Sequence, residues 1–499
     1  MIYGLLFSLL AVLRHTAFNT HAFDLGLFHQ VTWNIHSGEG FRFTYWLGLN
    51  PLLNNYLGDH VSLVLWPLSW LYWIHSGPET LLVVQAFLVG SGVVPLYLLG
   101  RHWGARPLVA LGMASLYLAH PALQGALLFD FHPDVLSAPL LLWAFYSALR
   151  RSYTGFWTAL VLALMTKENV ALIVVAFGVY LAFQRTRRSM GIATSVIGIL
   201  WFGLCFFLIL PRFNPGTGSN YVVRYSAYGG SWSEIVLAFL TRPGSLWRVL
   251  VDPSTVAYSN ALWMPYGFMS FLAPEVLAIA ASEYGLNVLS SFEAQRTITY
   301  HYSVIIAAVS ALAAVRGATR TATWLEARHL DRDRVARALC GLAVICTVRF
   351  QMSQYGAIRF WGPEYRDTYH VSEHDRLGAR FLKQVPAGAP VSAQSDIAPH
   401  ISDRRTIYVF PTVNDAEYVL LDATSTIFPV HLFPIEGLTP EAAYVEYVRR
   451  LLEDDGFAVS DAEDGWLLLV RDLTDRGGDP ALTADVVLTG ISERFGLGN

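Results

Sequence analysis

The chain has 499 residues, 54% of them hydrophobic and only 14% charged, with a mean hydropathy of +0.40, whereas a soluble domain carries roughly 25% charged residues. That balance excludes an ordinary soluble enzyme and points to a mainly α, polytopic helical membrane protein. The net charge of −4, with basic residues in short clusters between apolar runs, gives no footprint for nucleic acid.

Residues 1–13 are apolar, end at Arg14 and lack a basic leader region, so they are read as a first helix and not as a cleaved signal. The stretch "HAFDLGLFHQVTWNIHSGEG" (21–40) follows. Asp24 precedes the apolar stripe Leu27, Val31 and Ile35, and two roles are open to it. It is either the N-cap of an amphipathic helix or a carboxylate at the membrane boundary whose raised proton affinity suits a general base. Gln30 is a candidate for substrate binding. His21, His29 and His36 lack metal-ligand spacing and read as surface or interfacial groups. In "HVSLVLWPLSWLYWIHSG" (60–77), Trp66, Trp70, Tyr72 and Trp73 predict an interfacial or re-entrant segment, because such rings prefer the membrane boundary. His60, beside Asp59, is either a ligand-binding group or the polar start of that segment.

Apolar runs follow at 80–100, 107–120, 135–149, 155–166, 170–184, 189–211, 255–272, 276–289, 302–315 and 335–351. With the first helix they predict about 11 helices, several shorter than the ~20 residues of a full span. Arginine clusters at 101–106, 150–151, 185–188 and 316–334 mark cytoplasmic turns. One topology satisfies all four, with outer loops at 15–79, 120–134 and 212–254. It places Asp24, His60, "FDFHPD" (129–134), "TKEN" (166–169) and "RTITYHY" (296–302) on the outer face.

Asp130, His132 and Asp134 alternate around Pro133. They are either weak ligands for a divalent cation such as Mg or Mn, or the start of a helix opened by the proline. Lys167 and Glu168 interrupt an otherwise apolar run, which at membrane depth is costly unless the charges pair or line a cavity. Arg296 and His301 are donors suited to a phosphate, while Tyr300 and Tyr302 also fit an aromatic belt. Cys205, Cys340 and Cys346 all fall in apolar segments and suggest neither a disulfide framework nor a thiolate metal site.

After residue 351 the pattern changes: 23 of the 38 acidic residues lie there. Helices are predicted at 373–385 and 439–456 and strands at 389–395, 405–410, 416–422 and 465–470. Residues 352–475 therefore read as a small extracytoplasmic α/β domain on a membrane domain of residues 1–351, and residues 476–499 as a loosely ordered tail.

The motifs "FDLGLFHQVTWN", "GDHVSLVLWPL", "LLFDFHPDVLSAPLLL", "MTKENVAL", "TYHYSVIIA", "PHISDRRTIYVFP" and "AEYVLLD" resemble, in order and from about residue 20 to 422, the multi-pass bacterial membrane proteins grouped as domain of unknown function 2079. That family is similar to the type C glycosyltransferases. The resemblance implies a plasma-membrane enzyme that takes a sugar from a polyprenyl-phosphate donor and passes it, with inversion, to an acceptor glycan, lipid or protein on the outer side. It places the catalytic acid of the first outer loop on Asp24. Type C enzymes often carry an acidic pair there, whereas Leu25 follows Asp24 here. Lys167, His60, His132, Arg296 and His301 are the implied partners of the leaving phosphate, with Glu168 orienting Lys167. Two rivals from other classes are a transporter or flippase gated by Lys167 and Glu168, and a non-catalytic membrane assembly protein.

Overall fold

The computed structural model describes residues 1–45, 47–48, 50–214, 220–352, 367–425, 434–471 and 483–497. Contacts divide the chain into two units, each described by itself. The first holds Met1–Ala11, Leu57–Val64 and Leu82–Gly362, and the second Val12–Tyr56, Leu65–Leu81 and Pro363–Asn499.

The first unit is helical. Among the described residues three helices, Glu79–His102, Arg185–Phe213 and His301–Glu326, are long and apolar enough to cross a membrane, and five further apolar helices are shorter. Several of the apolar runs are thus shorter than a full span, as the sequence predicts. Each break has a local cause. The run expected at 255–272 ends as a helix at Trp263, because Pro265 removes a donor and Gly267 and Phe268 adopt left-handed backbone at φ 58° and 57°. The helix Arg188–Leu204 passes into a π turn at Cys205–Ile209, where Cys205 packs with Val61 and Leu210.

Two helices, Val170–Ala182 and Arg188–Leu204, pair through glycines. An added Cβ at Gly191 would lie 2.6 Å from the Gly178 carbonyl oxygen, and one at Gly178 would lie 2.7 Å from that of Gly191. Lipid supplies no hydrophobic drive between helices, so small residues that let backbones touch provide the packing. The helix Val304–Glu326 is buried along most of its length, and Tyr266 donates to its Ala307 carbonyl at 3.0 Å.

The second unit carries a five-stranded sheet of order β2-β1-β3-β5-β4, with β1 Val391–Ala393, β2 Ile407–Val409, β3 Tyr418–Asp422, β4 Phe457–Glu463 and β5 Trp466–Arg471. β1 is parallel to both β2 and β3, and β5 is antiparallel to β3 and β4. All of β3 is buried because both faces are covered. The helix Glu373–Leu382 starts in a capping box between Ser372 and Asp375, and its Gly378 admits the Trp466 ring. The helix Pro440–Glu453 contributes Tyr444 and Val448 to the other core.

The first-loop residues complete this unit. Gln30, fully buried, exchanges two 2.9 Å hydrogen bonds with Thr44, and the Thr44 hydroxyl donates to the Ile407 carbonyl and accepts from its N–H at 3.0 Å. The open edge of β2 is thereby occupied by a side chain. Of the tail expected to be loosely ordered, 476–482 and 498–499 lie outside the described residues. Ala484–Arg494 is a helix, a correction with a plain cause: Thr483 caps it, and Val487, Leu488 and Ile491 are buried on the sheet's core.

His374 bridges two acids, with Nε2 3.0 Å from Asp422 and Nδ1 3.1 Å from Asp464. Burial works against its charge, but the hydrogen bonds that it donates to both carboxylates hold the imidazolium above the ordinary value of 6.5. The folded unit therefore binds this proton more tightly than the unfolded chain does. Its stabilisation is complete below pH 6.5 and fades as pH rises through the folded-state value. A His374→Asn variant is expected to flatten the thermal midpoint's decline above that pH, measured by unfolding scans from pH 5.5 to 9.

Candidate functional site

In the first unit, four separate chain segments bring ionisable side chains together. The turn between the helices Tyr153–Leu164 and Val170–Ala182 carries Lys167, Glu168 and Asn169. Adjacent residues in so tight a turn point to different sides. Lys167 Nζ donates to Asp134 Oδ2 at 3.1 Å, while Glu168 turns to segment 60–61, with Oε1 3.0 Å from His60 Nδ1 and Oε2 accepting from the Val61 N–H at 2.8 Å. Glu168 does not orient Lys167, which corrects the expectation. Asp134 does so, and Glu168 pins the stretch that holds His60.

Asp134 stands in the 3-10 turn Pro133–Leu136, opened by the proline, with His132 in the preceding cap position making no side-chain cap bond. The His301 ring lies 3.7 Å from Asp134 by its Nε2 and stacks on His132 with centroids 3.7 Å apart. Gln85 fixes the loop from behind, donating to the Asp130 carbonyl at 3.0 Å and accepting from the His132 N–H at 2.9 Å. Lys167 and Asp134 are each nine-tenths buried or close to it. Burial pushes the Lys167 ammonium down, but the carboxylates of Asp134 and Glu168 outweigh it and hold its proton above the ordinary value.

The proposed metal set does not form. Among the described residues, the ligand atoms of Asp130, His132 and Asp134 do not all come within 4.8 Å of one another. Asp134 is engaged by Lys167 and His132 by stacking, and Asp130 closes the helix Pro121–Phe129 in extended backbone. Arg296 does not join the cluster's hydrogen bonds either: its Nη1 donates to Ser254 at 3.2 Å. Tyr300 packs edge-on against Phe129 at 4.7 Å, as an aromatic anchor does. The residues missed in the sequence are Gln85 and Glu283. Glu283 is buried and accepts from Asn169 at 2.9 Å; an acid inside the apolar run 276–289 was the signal.

The remaining expected site residues belong to the second unit. Asp24 lies within a π turn, Ala22–Gly26, and the helix Leu27–His36 takes Gly26 as its N-cap without a side-chain bond. Asp24 is therefore not that helix's cap, and its carboxylate is not spent on that role. Gln30 is corrected from a binding residue to the bridge to Thr44 described above. His29 is also corrected: it is buried, with Nδ1 2.9 Å from the Tyr72 hydroxyl.

Comparison with solved structures places the architecture. The apo structure of ArnT from Cupriavidus metallidurans aligns with a TM-score of 0.50 at 12% identity, covering 95% of this chain and 99% of that one. ArnT from the same organism bound to undecaprenyl phosphate aligns at 0.45 and 12% identity, over 93% and 97% of the two chains. The first likeness shows a shared polytopic fold. The search of curated proteins finds no match. The family model described as "Predicted membrane protein (DUF2079)" matches residues 14–434, and the chain belongs to that family of membrane proteins.

Proposed function

We propose that the protein is a type C-like membrane glycosyltransferase that moves a sugar from a polyprenyl-phosphate donor to an acceptor on the outer side of the membrane. The observation that carries this reading is the largely buried cluster of Lys167, Asp134, His132, His301, Glu168 and His60, assembled from distant segments of a polytopic helical body. Such groups are costly in an apolar surround, and packing alone does not require them.

In the proposed reaction the acceptor hydroxyl oxygen attacks the anomeric carbon and its proton passes to Asp24. The bond from that carbon to the phosphate oxygen breaks, and the lipid phosphate leaves with inversion. Lys167 spends one of its three N–H donors on Asp134 and offers the others to the phosphate, with His301 beside it. Preorganised donors of this kind stabilise charge as it develops. Asp134 keeps Lys167 ionised and aimed, so it is a positioning residue, as is Glu168 for His60. In this reading the domain of residues 352–475 is extracytoplasmic and meets the acceptor, and no metal is assigned a role.

The test is sugar transfer by purified protein from a panel of polyprenyl-phosphate sugars. Asp24→Asn is expected to lower the rate by roughly 10²–10⁴-fold, the usual worth of a general base. Equal rates in variant and wild type remove Asp24 from the mechanism. Donor flux across liposomes with no sugar transfer would replace the reading with a flippase.

A further inference from the structure

The second unit contains a cavity of about 710 Å³ that the proposed transfer reaction does not use. It opens where the parallel strands β1 and β3 end. Asp396 follows β1 by three residues, Asp422 is the last residue of β3, and Thr424 and Ser425 come just after it. The carboxyl ends of neighbouring parallel strands are where open α/β sheets hold ligands, and the volume suits a small molecule.

The lining is predominantly acidic. Asp367, Asp375, Asp396 and Asp422 line it, with His370 and His374, and among the described residues no lysine or arginine does. Asp422, His374 and Asp375 are already satisfied. Asp422 accepts from the Thr424 N–H at 2.8 Å and hydroxyl at 2.7 Å and pairs with His374, and Asp375 closes the capping box with Ser372. Asp396 differs. It is only 3% exposed, its Oδ2 accepts from the Ser425 hydroxyl, and its Oδ1 has no hydrogen-bond partner among the described residues. A buried carboxylate oxygen without a donor is costly.

We propose that this cavity binds a small hydroxylated ammonium compound, an amino sugar by chemical class, whose N–H donates to Asp396 Oδ1. The surrounding aspartates favour a cation. Asn19, Thr424 and Ser425 offer polar contacts to hydroxyls, and Phe18 presents an apolar face. A bare metal ion fits less well, since Asp396, Asp422 and His374 do not form a convergent ligand set. Burial pushes the Asp396 carboxyl up to about 7, so the side chain keeps its proton near neutrality unless a cationic donor reaches it. This inference does not depend on the transfer reaction.

The experiment is equilibrium binding of glucosamine, glucose and N-acetylglucosamine to the full-length protein in detergent, followed by saturation-transfer NMR. Glucosamine is expected to bind at least 10-fold more tightly than the two neutral sugars, and Asp396→Asn to abolish that preference. Asp367 is exposed on the cavity lining, so Asp367→Lys, which leaves the core untouched, is expected to weaken glucosamine at least 10-fold. Equal binding of all three sugars, no binding of glucosamine, or a preference that survives both substitutions overturns the proposal.

Discussion

Replacing Lys167 with methionine is expected to destabilise the protein by about 3–5 kcal/mol and to abolish any transfer activity. The size follows from what remains: the Asp134 carboxylate, 10% exposed, loses the ammonium that lies 3.1 Å away. Breaking a buried pair from one side leaves a charge with no compensation, whereas removing both partners is close to neutral. The double variant Asp134→Asn/Lys167→Met is therefore expected to recover most of the lost stability while staying inactive. Thermal unfolding in detergent, read beside the transfer assay, separates the two effects. A double variant no more stable than the single one would show that Asp134 is not held as an anion by Lys167.

Gly191→Leu is the second large effect. An added Cβ there meets backbone, 2.6 Å from the Gly178 oxygen, and backbone cannot swing aside as a side chain can. Overpacking typically costs 1–3 kcal/mol, and about the top of that range or more is expected where two main chains touch. The helix Val170–Ala182 begins directly after the Lys167–Asn169 turn, so prising it from Arg188–Leu204 should displace Lys167 and remove activity too. Gly203→Leu is the control: it lies on the same helix with nothing within 4 Å of its Cβ position. A control as damaging as Gly191→Leu would mean that bulk anywhere on this helix is harmful, and the close approach would lose its significance.

Much of this was legible in the sequence. Charge in an apolar run exposed Lys167 and Glu168, and Pro133 marked the turn that presents Asp134. Period-2 runs located β1, β2, β3 and β5. The partners were less readable, because a tight turn sends Lys167 and Glu168 in different directions and only tertiary contacts decide which acid each meets. β4 was missed for a related reason. Phe457 and Val459 alternate inward, but a bulge before Asp461 breaks the period, and the rest of this edge strand is polar. Gln30 looked like a binding group because it is polar beside an apolar helix, yet its amide is used internally on Thr44.

The Thr44 bridge to Ile407 has a consequence for biosynthesis. Its partners are separated by 363 residues, so at 5–20 residues per second the first loop waits roughly 20–70 s for β2 to be made. During that interval Gln30 and Thr44 have no strand to cap. A fragment beginning near residue 367 meets the converse problem, with β2 exposed as a ready template for another chain. The sheet-bearing unit is therefore a late product of translation, closed only when the last third of the polypeptide returns to the residues made first.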